Sequence, residues 1–155
     1  MSKKHTPTIP RIALTVTNEH LFSYAFLSER GSFSSLAREL YSEGSLDVRS
    51  RDWLVLLNPL NQVIAVAEVN CLTFHNVLYN VREVIQLALL SDARKVAIFT
   101  SRDIFHNDRR PTEFEIEFAK RLRKFGKIVD IELAEFLIVG EDSASCYGLV
   151  RNNYI

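Results

Sequence analysis

Residues Trp53–Val69 read WLVLLNPLNQVIAVAEV, and this stretch decides the class of the fold. Two apolar, strand-like runs, Trp53–Leu57 and Val63–Val69, flank Asn58-Pro59-Leu60-Asn61. Asparagine and proline turn the chain, and the runs are strand-length, so an antiparallel hairpin is expected. Downstream, Asn80 and Glu83 carry capping-box chemistry for a helix whose core face would be Val81, Val84, Ile85, Ala88 and Leu89. Lys95–Thr100 reads as a buried strand, and Ser101–Pro111 as a polar loop. Thr112 opens the clearest helix, with Phe114, Phe118, Leu122 and Phe125 along one face, acids in its first half and bases in its second. Leu133–Val139 and Cys146–Val150 read as closing strands around a turn at 140–143. Strands alternating with helices predict an α/β domain, a mixed β-sheet flanked by helices.

Upstream of the hairpin, residues 1–10 contain Pro7 and Pro10 and read as a loose arm. Arg11–Val16 fits a short strand. Thr17 or Asn18 can cap a helix bearing Leu21, Phe22, Ala25 and Phe26, which Gly31-Ser32 is expected to break. A second short helix would carry Phe33, Leu36, Ala37 and Leu40 and stop at Gly44-Ser45. The expected organisation is an N-terminal arm and helical extension over 1–50, packed on a domain over 51–155.

The chain has 155 residues, enough for one domain with a real core. Nineteen basic residues balance nineteen acidic ones, so global charge gives no support to nucleic-acid binding and favours self-association. Cys71 and Cys146 form no short-spaced pair, which excludes zinc-finger and thioredoxin-like motifs and makes a reducing cytoplasm the expected setting. Neither a signal peptide nor a membrane span is expected. His5, His20 and His75 are scattered outside any ligand spacing.

Several short runs carry a family likeness. They are Leu57-Asn58-Pro59-Leu60-Asn61-Gln62-Val63-Ile64, Tyr79-Asn80-Val81-Arg82-Glu83-Val84, Pro111-Thr112 followed by Lys120-Arg121-Leu122, and Ile138-Val139-Gly140. Their order and spacing from about Arg51 to Tyr147 resemble the RadC-like branch of the JAB/MPN metal-dependent hydrolases. The resemblance implies a cytidine-deaminase-like sheet flanked by helices. It also implies an active site built from a strand glutamate, His-x-His-Pro-x-Gly and Ser-x-x-Asp. In that site the two histidines and the aspartate hold zinc, the glutamate serves as general base, and the serine helps stabilise the oxyanion.

Placed without gaps, Arg102 and Ile104 stand at the histidine positions, Thr112 at the serine and Glu115 at the aspartate; Glu68 falls near the glutamate, and Glu135-Phe136 replaces an Asp-His pair. Ile104 has no lone pair and Arg102 is a permanent cation, so neither can ligate zinc. Glu68, Arg102, Ile104, Thr112 and Glu115 are therefore expected to be vestigial, with no resident cofactor. Thr112-x-x-Glu115 is by itself a capping box, and Glu68 fits an ordinary solvent-facing strand residue.

The leading expectation is a non-catalytic module that binds a protein partner or itself. The family's association with DNA repair and mobile elements enters by analogy alone. Arg102, Arg109 and Arg110 would line the former cleft. One alternative is a metal-dependent hydrolase with a shifted zinc or manganese site at His106, Asp108 and Glu115 and Glu68 as base. Another is a nucleic-acid accessory protein working through the loop arginines.

Overall fold

In the computed structural model, residues 30–42, 52–69, 81–101, 110–140 and 146–155 are described. The elements are α1 (Arg30–Ser42), β1 (Asp52–Leu57), β2 (Val63–Val69), α2 (Val81–Leu90), β3 (Lys95–Ser101), α3 (Glu113–Ile128), β4 (Glu132–Val139) and β5 (Cys146–Gly148). They build one sheet in the order β2-β1-β3-β4-β5. β1 pairs antiparallel with both β2 and β3, β3 runs parallel to β4 across the α3 crossover, and β5 returns antiparallel on β4. The mixed sheet expected from the sequence is therefore present. No helix among the described residues is long and apolar enough to cross a membrane.

The hairpin forms because Asn58 organises its own turn. Its Oδ1 accepts from the backbone N–H groups of Leu60 and Gln62, each at 2.9 Å. Asn61 takes the left-handed backbone at φ 60°, which asparagine tolerates better than most residues.

Alternation along β1 divides the core in two. Leu54 and Leu56 face α2 and α3 and join Val96, Ile98, Phe118, Leu122 and Phe136. Val55 and Leu57 face the other way and join Ala97, Phe99 and Leu137 beneath Leu36, Ala37 and Leu40 of α1. The sheet is thus covered on both faces, which explains why β1, β3 and β4 read as nearly continuous apolar runs.

The helix expected to carry Phe33, Leu36, Ala37 and Leu40 starts earlier than expected and takes in Gly31 and Ser32. Both residues fall in its first turn, where N–H groups have no intrahelical partner in any case and glycine's interior penalty does not apply in full. Burial of Leu36, Ala37 and Leu40 then drives the rest.

α2 and α3 end alike. Ala93 N–H donates to Ala88 C=O at 2.9 Å, and Ile131 N–H to Gly126 C=O at 2.8 Å. Asp92 and Asp130 supply the left-handed residue, at φ 54° and 55°, that glycine usually supplies in this closing motif. A Cβ at Gly126 would overlap the Ile131 carbonyl, so the return into β4 needs glycine at that point.

Three further expectations are corrected. The buried stripe of α3 is Glu115, Phe118, Ala119, Leu122 and Gly126, whereas Phe114 and Phe125 are 41% and 46% exposed. The small residues Ala119 and Gly126 let the helix approach the sheet, and this rotates the two outer phenylalanines to its flanks. Leu89 of α2 is 54% exposed, because Val84 and Ala88 form the contact with the sheet. The last strand stops at Gly148 rather than Val150. Val150 N–H instead donates to the Glu135 carboxylate at 2.9 Å, and the chain turns through residues 149–153.

The expected strand at Arg11–Val16, the helix after Thr17, the helix stop at Gly44-Ser45 and the Asn80 cap lie outside the described residues.

Candidate functional site

Strand register gathers the polar groups at one end of the sheet. Asp52 opens β1 and is paired with Val69 on one side and Thr100 on the other. Ser101 ends β3 opposite Val139, and Val139 pairs with Cys146. The parallel β3–β4 pair with its α3 crossover brings the N-terminus of α3 to this end, the place where open α/β sheets present their sites.

Thr112 and Glu115 meet there as a complete capping box. Glu115 N–H donates to Thr112 Oγ1 at 3.2 Å, and Thr112 N–H donates to Glu115 Oε2 at 2.7 Å. The Thr112 hydroxyl also lies 3.0 Å from Oε2. The capping chemistry foreseen from the sequence is thus made in full. Glu115 is 8% exposed, an unusually deep position for a residue at a helix start.

Asp52 is the unforeseen member of this cluster. It is 1% exposed, and neither carboxylate oxygen completes a hydrogen bond of standard geometry among the described residues. Burial pushes its carboxyl from an ordinary 3.8 up to about 7; the neighbouring Thr100 hydroxyl pulls it partly back and the Glu115 charge pushes it further up. Tyr41 of α1 joins from the other layer. Burial, then the Asp52 charge, raises its hydroxyl well above the usual tyrosine value, while a hydrogen bond with Ser101 lowers it. Period-two alternation from Leu54 and Leu56 puts Asp52 on the α3 face, and that was the signal available in the sequence. Tyr41 carried none.

The remaining foreseen residues are placed apart. Glu68 pairs with Trp53, and its β2 neighbour Val66 packs with the α1 layer. Alternation therefore turns Glu68 away from the face that carries Asp52 and Glu115; its β2 neighbours Ala67 and Val69 are on that face. Glu135 is buried below the site and serves the fold. Its Oε1 accepts from Phe136 N–H at 3.0 Å and Val150 N–H at 2.9 Å. Burial raises its carboxyl, and those two bonds oppose the rise. Arg110 is exposed. Arg102, Ile104, His106, Asp108 and Arg109 lie outside the described residues. Among the described residues, no three His, Cys, Asp or Glu side chains are grouped closely enough to hold a metal ion.

Comparison with known proteins agrees with this architecture. Residues 31–153 match the family profile described as "RadC-like JAB domain", a span that includes all of α1 but its first residue and the whole sheet. A protein named "UPF0758 protein" from Desulforudis audaxviator (strain MP104C) is 28% identical over 94 residues, covering 61% of this chain and 40% of that protein. The chain thus spans well under half the length of this curated relative.

Proposed function

This chain belongs to the RadC-like JAB domain family, and from that premise we propose that it is a non-catalytic member that works by binding another protein. The observation that supports this reading is the separation of two residues that the resemblance assigns to the catalytic set. Glu115 is committed to the α3 cap, and Glu68 sits on the opposite face of the sheet.

The zinc that the family implies does not fit these residues. Catalytic zinc takes three protein ligands with lone pairs and keeps a fourth position for water. At the corresponding positions this chain offers a guanidinium (Arg102), an alkyl group (Ile104) and one capped carboxylate. A framework in this state still presents its outer surfaces and strand edges to partners. A link to DNA repair accompanies this reading as analogy, and a cytoplasmic setting accompanies it from the cysteine spacing.

One observation favours a second reading, a metal-dependent hydrolase with ligands at His106, Asp108 and Glu115. Asp52 is a buried carboxylate beside Glu115 that completes no hydrogen bond of standard geometry among the described residues, and a cation nearby would relieve the repulsion between the two groups. Nucleic-acid binding through Arg102, Arg109 and Arg110 has no comparable support.

Metal analysis of the purified chain, before and after chelation, separates the first two readings. The interaction module predicts no stoichiometric metal and no thermal shift on adding zinc or manganese. A bound divalent ion that is lost in Glu115→Gln and His106→Ala would overturn it in favour of the hydrolase.

A further inference from the structure

Four large apolar side chains are exposed together on the helix layer, at the ends of α2 and α3. Leu89 and Leu90 at the end of α2 are 54% and 56% exposed, and Phe125 and Ile128 at the end of α3 are 46% and 73% exposed. They flank one groove of about 910 Å³ between the two helices. Clustered exposure of large apolar side chains around a concavity marks a binding surface, unlike isolated surface leucines.

Charge says what fits there. Among the described residues the groove is lined by two guanidiniums, Arg82 on α2 and Arg121 on α3, and by no carboxylate. From Lys120 to Lys127, α3 carries five cations and no anion. Of these five only Arg121 lines the groove, while Lys120, Arg123, Lys124 and Lys127 line a separate surface, so the groove's own charge is that of its two guanidiniums. Two copies meeting here would bring like charges together, which disfavours a two-fold contact. A lipid surface is flat on this scale and would leave the concave floor unfilled. A helix is about 10 Å across with side chains, and the ten-residue α2 gives the groove a length of about 15 Å, or about three turns.

We propose that the α2–α3 groove is the docking site for an acidic amphipathic helix of a partner protein. Its apolar ridge, at i, i+4 and i+7, lies against Leu89, Leu90, Phe125 and Ile128, and its flanking carboxylates meet Arg82 and Arg121. The groove supplies the surface and partner class for the interaction-module reading on which it rests. It can fail while that reading stands, because a partner could dock on the sheet edge instead; bound metal would sink the reading and leave the groove untouched.

The test uses the whole chain and a fluorescein-labelled helical peptide with leucines at i, i+4 and i+7 and glutamates on both flanks. Controls are a scrambled peptide and one with lysine replacing every glutamate. Anisotropy should show saturable binding of the glutamate peptide at about 100 µM or tighter, weakened by about tenfold or more in Leu89→Glu. Arg82→Glu combined with Arg121→Glu should reverse the preference towards the lysine peptide, an effect that a merely structural role for the arginines would not produce. Circular dichroism of each variant checks folding. Equal binding of glutamate, lysine and scrambled peptides would overturn the proposal, as would binding unchanged by Leu89→Glu. No binding of the glutamate peptide would also overturn it. So would a concentration-dependent dimer abolished by Leu89→Glu, which assigns the face to a second copy, or sedimentation with phosphatidylserine vesicles in place of peptide binding, which assigns it to a membrane.

Discussion

Replacing Asp52 with asparagine probes the buried end of the sheet most directly. The aspartate is 1% exposed, and burial pushes its carboxyl from 3.8 up to about 7. The folded state therefore holds this proton more tightly than the unfolded chain does. The stabilisation from protonated Asp52 is complete below the unfolded value, declines as pH rises, and is gone above about 7. Across the roughly three pH units between those values, at about 1.4 kcal/mol each, the ceiling on the loss is about 4 kcal/mol. Relaxation and water entry around a real buried charge reduce this, and about 2 kcal/mol is the working expectation. Asparagine keeps the shape and removes the charge. Urea unfolding at a series of pH values should show Asp52→Asn close to wild type near about pH 4.5 and more stable by about 2 kcal/mol near about pH 8.5. Glu135 titrates in both proteins, so its contribution cancels in the difference. A difference independent of pH would refute the reasoning. A variant that becomes progressively weaker than wild type as pH rises would refute it more sharply, since the carboxylate would then be stabilised as an anion.

The other expectations concern the fold around that end. Thr112→Ala should lower unfolding stability by about 1 kcal/mol through loss of the α3 cap, while Thr112→Ser stays near wild type in the same denaturation assay. Gly126→Ala should lose about 1–3 kcal/mol, because the added methyl meets the Ile131 carbonyl, a backbone group that cannot swing aside; thermal melting measures this. Glu135→Ala leaves the N–H groups of Phe136 and Val150 without their carboxylate, so a loss of about 1–3 kcal/mol is expected, with faster proteolytic cleavage in the turn after β5.

Much of the architecture was legible because it is written in local patterns. The hairpin follows from Asn58 and Asn61 between two apolar runs, and the α3 start from Thr112 and Glu115. The order of short family-like runs between residues 57 and 140 pointed to the RadC-like domain that the chain belongs to. Errors arose where periodicity alone had to set a rotation or an end. Phe114, Phe118, Leu122 and Phe125 share one helical stripe, yet the sheet selects the stripe that contains Ala119 and Gly126, because close approach requires small residues. Val150 reads as a strand residue until Glu135, distant in sequence, takes its N–H.

The site divides in the same way. The loss of ligand-type side chains at Arg102 and Ile104 is a fact of composition that needs no coordinates. Whether Glu68 and Glu115 share a face is a fact of pairing register, and a strand residue one place along points the opposite way. The burial of the Asp52 carboxylate emerges only when β1 is enclosed between β2 and β3 beneath the start of α3. The groove between α2 and α3 likewise exists only once two helices separated by a strand are laid side by side. The sequence by itself determined which segments could turn, cap and bury; the tertiary structure alone decided which faces met, because burial and charge interaction depend on distance in space and not along the chain.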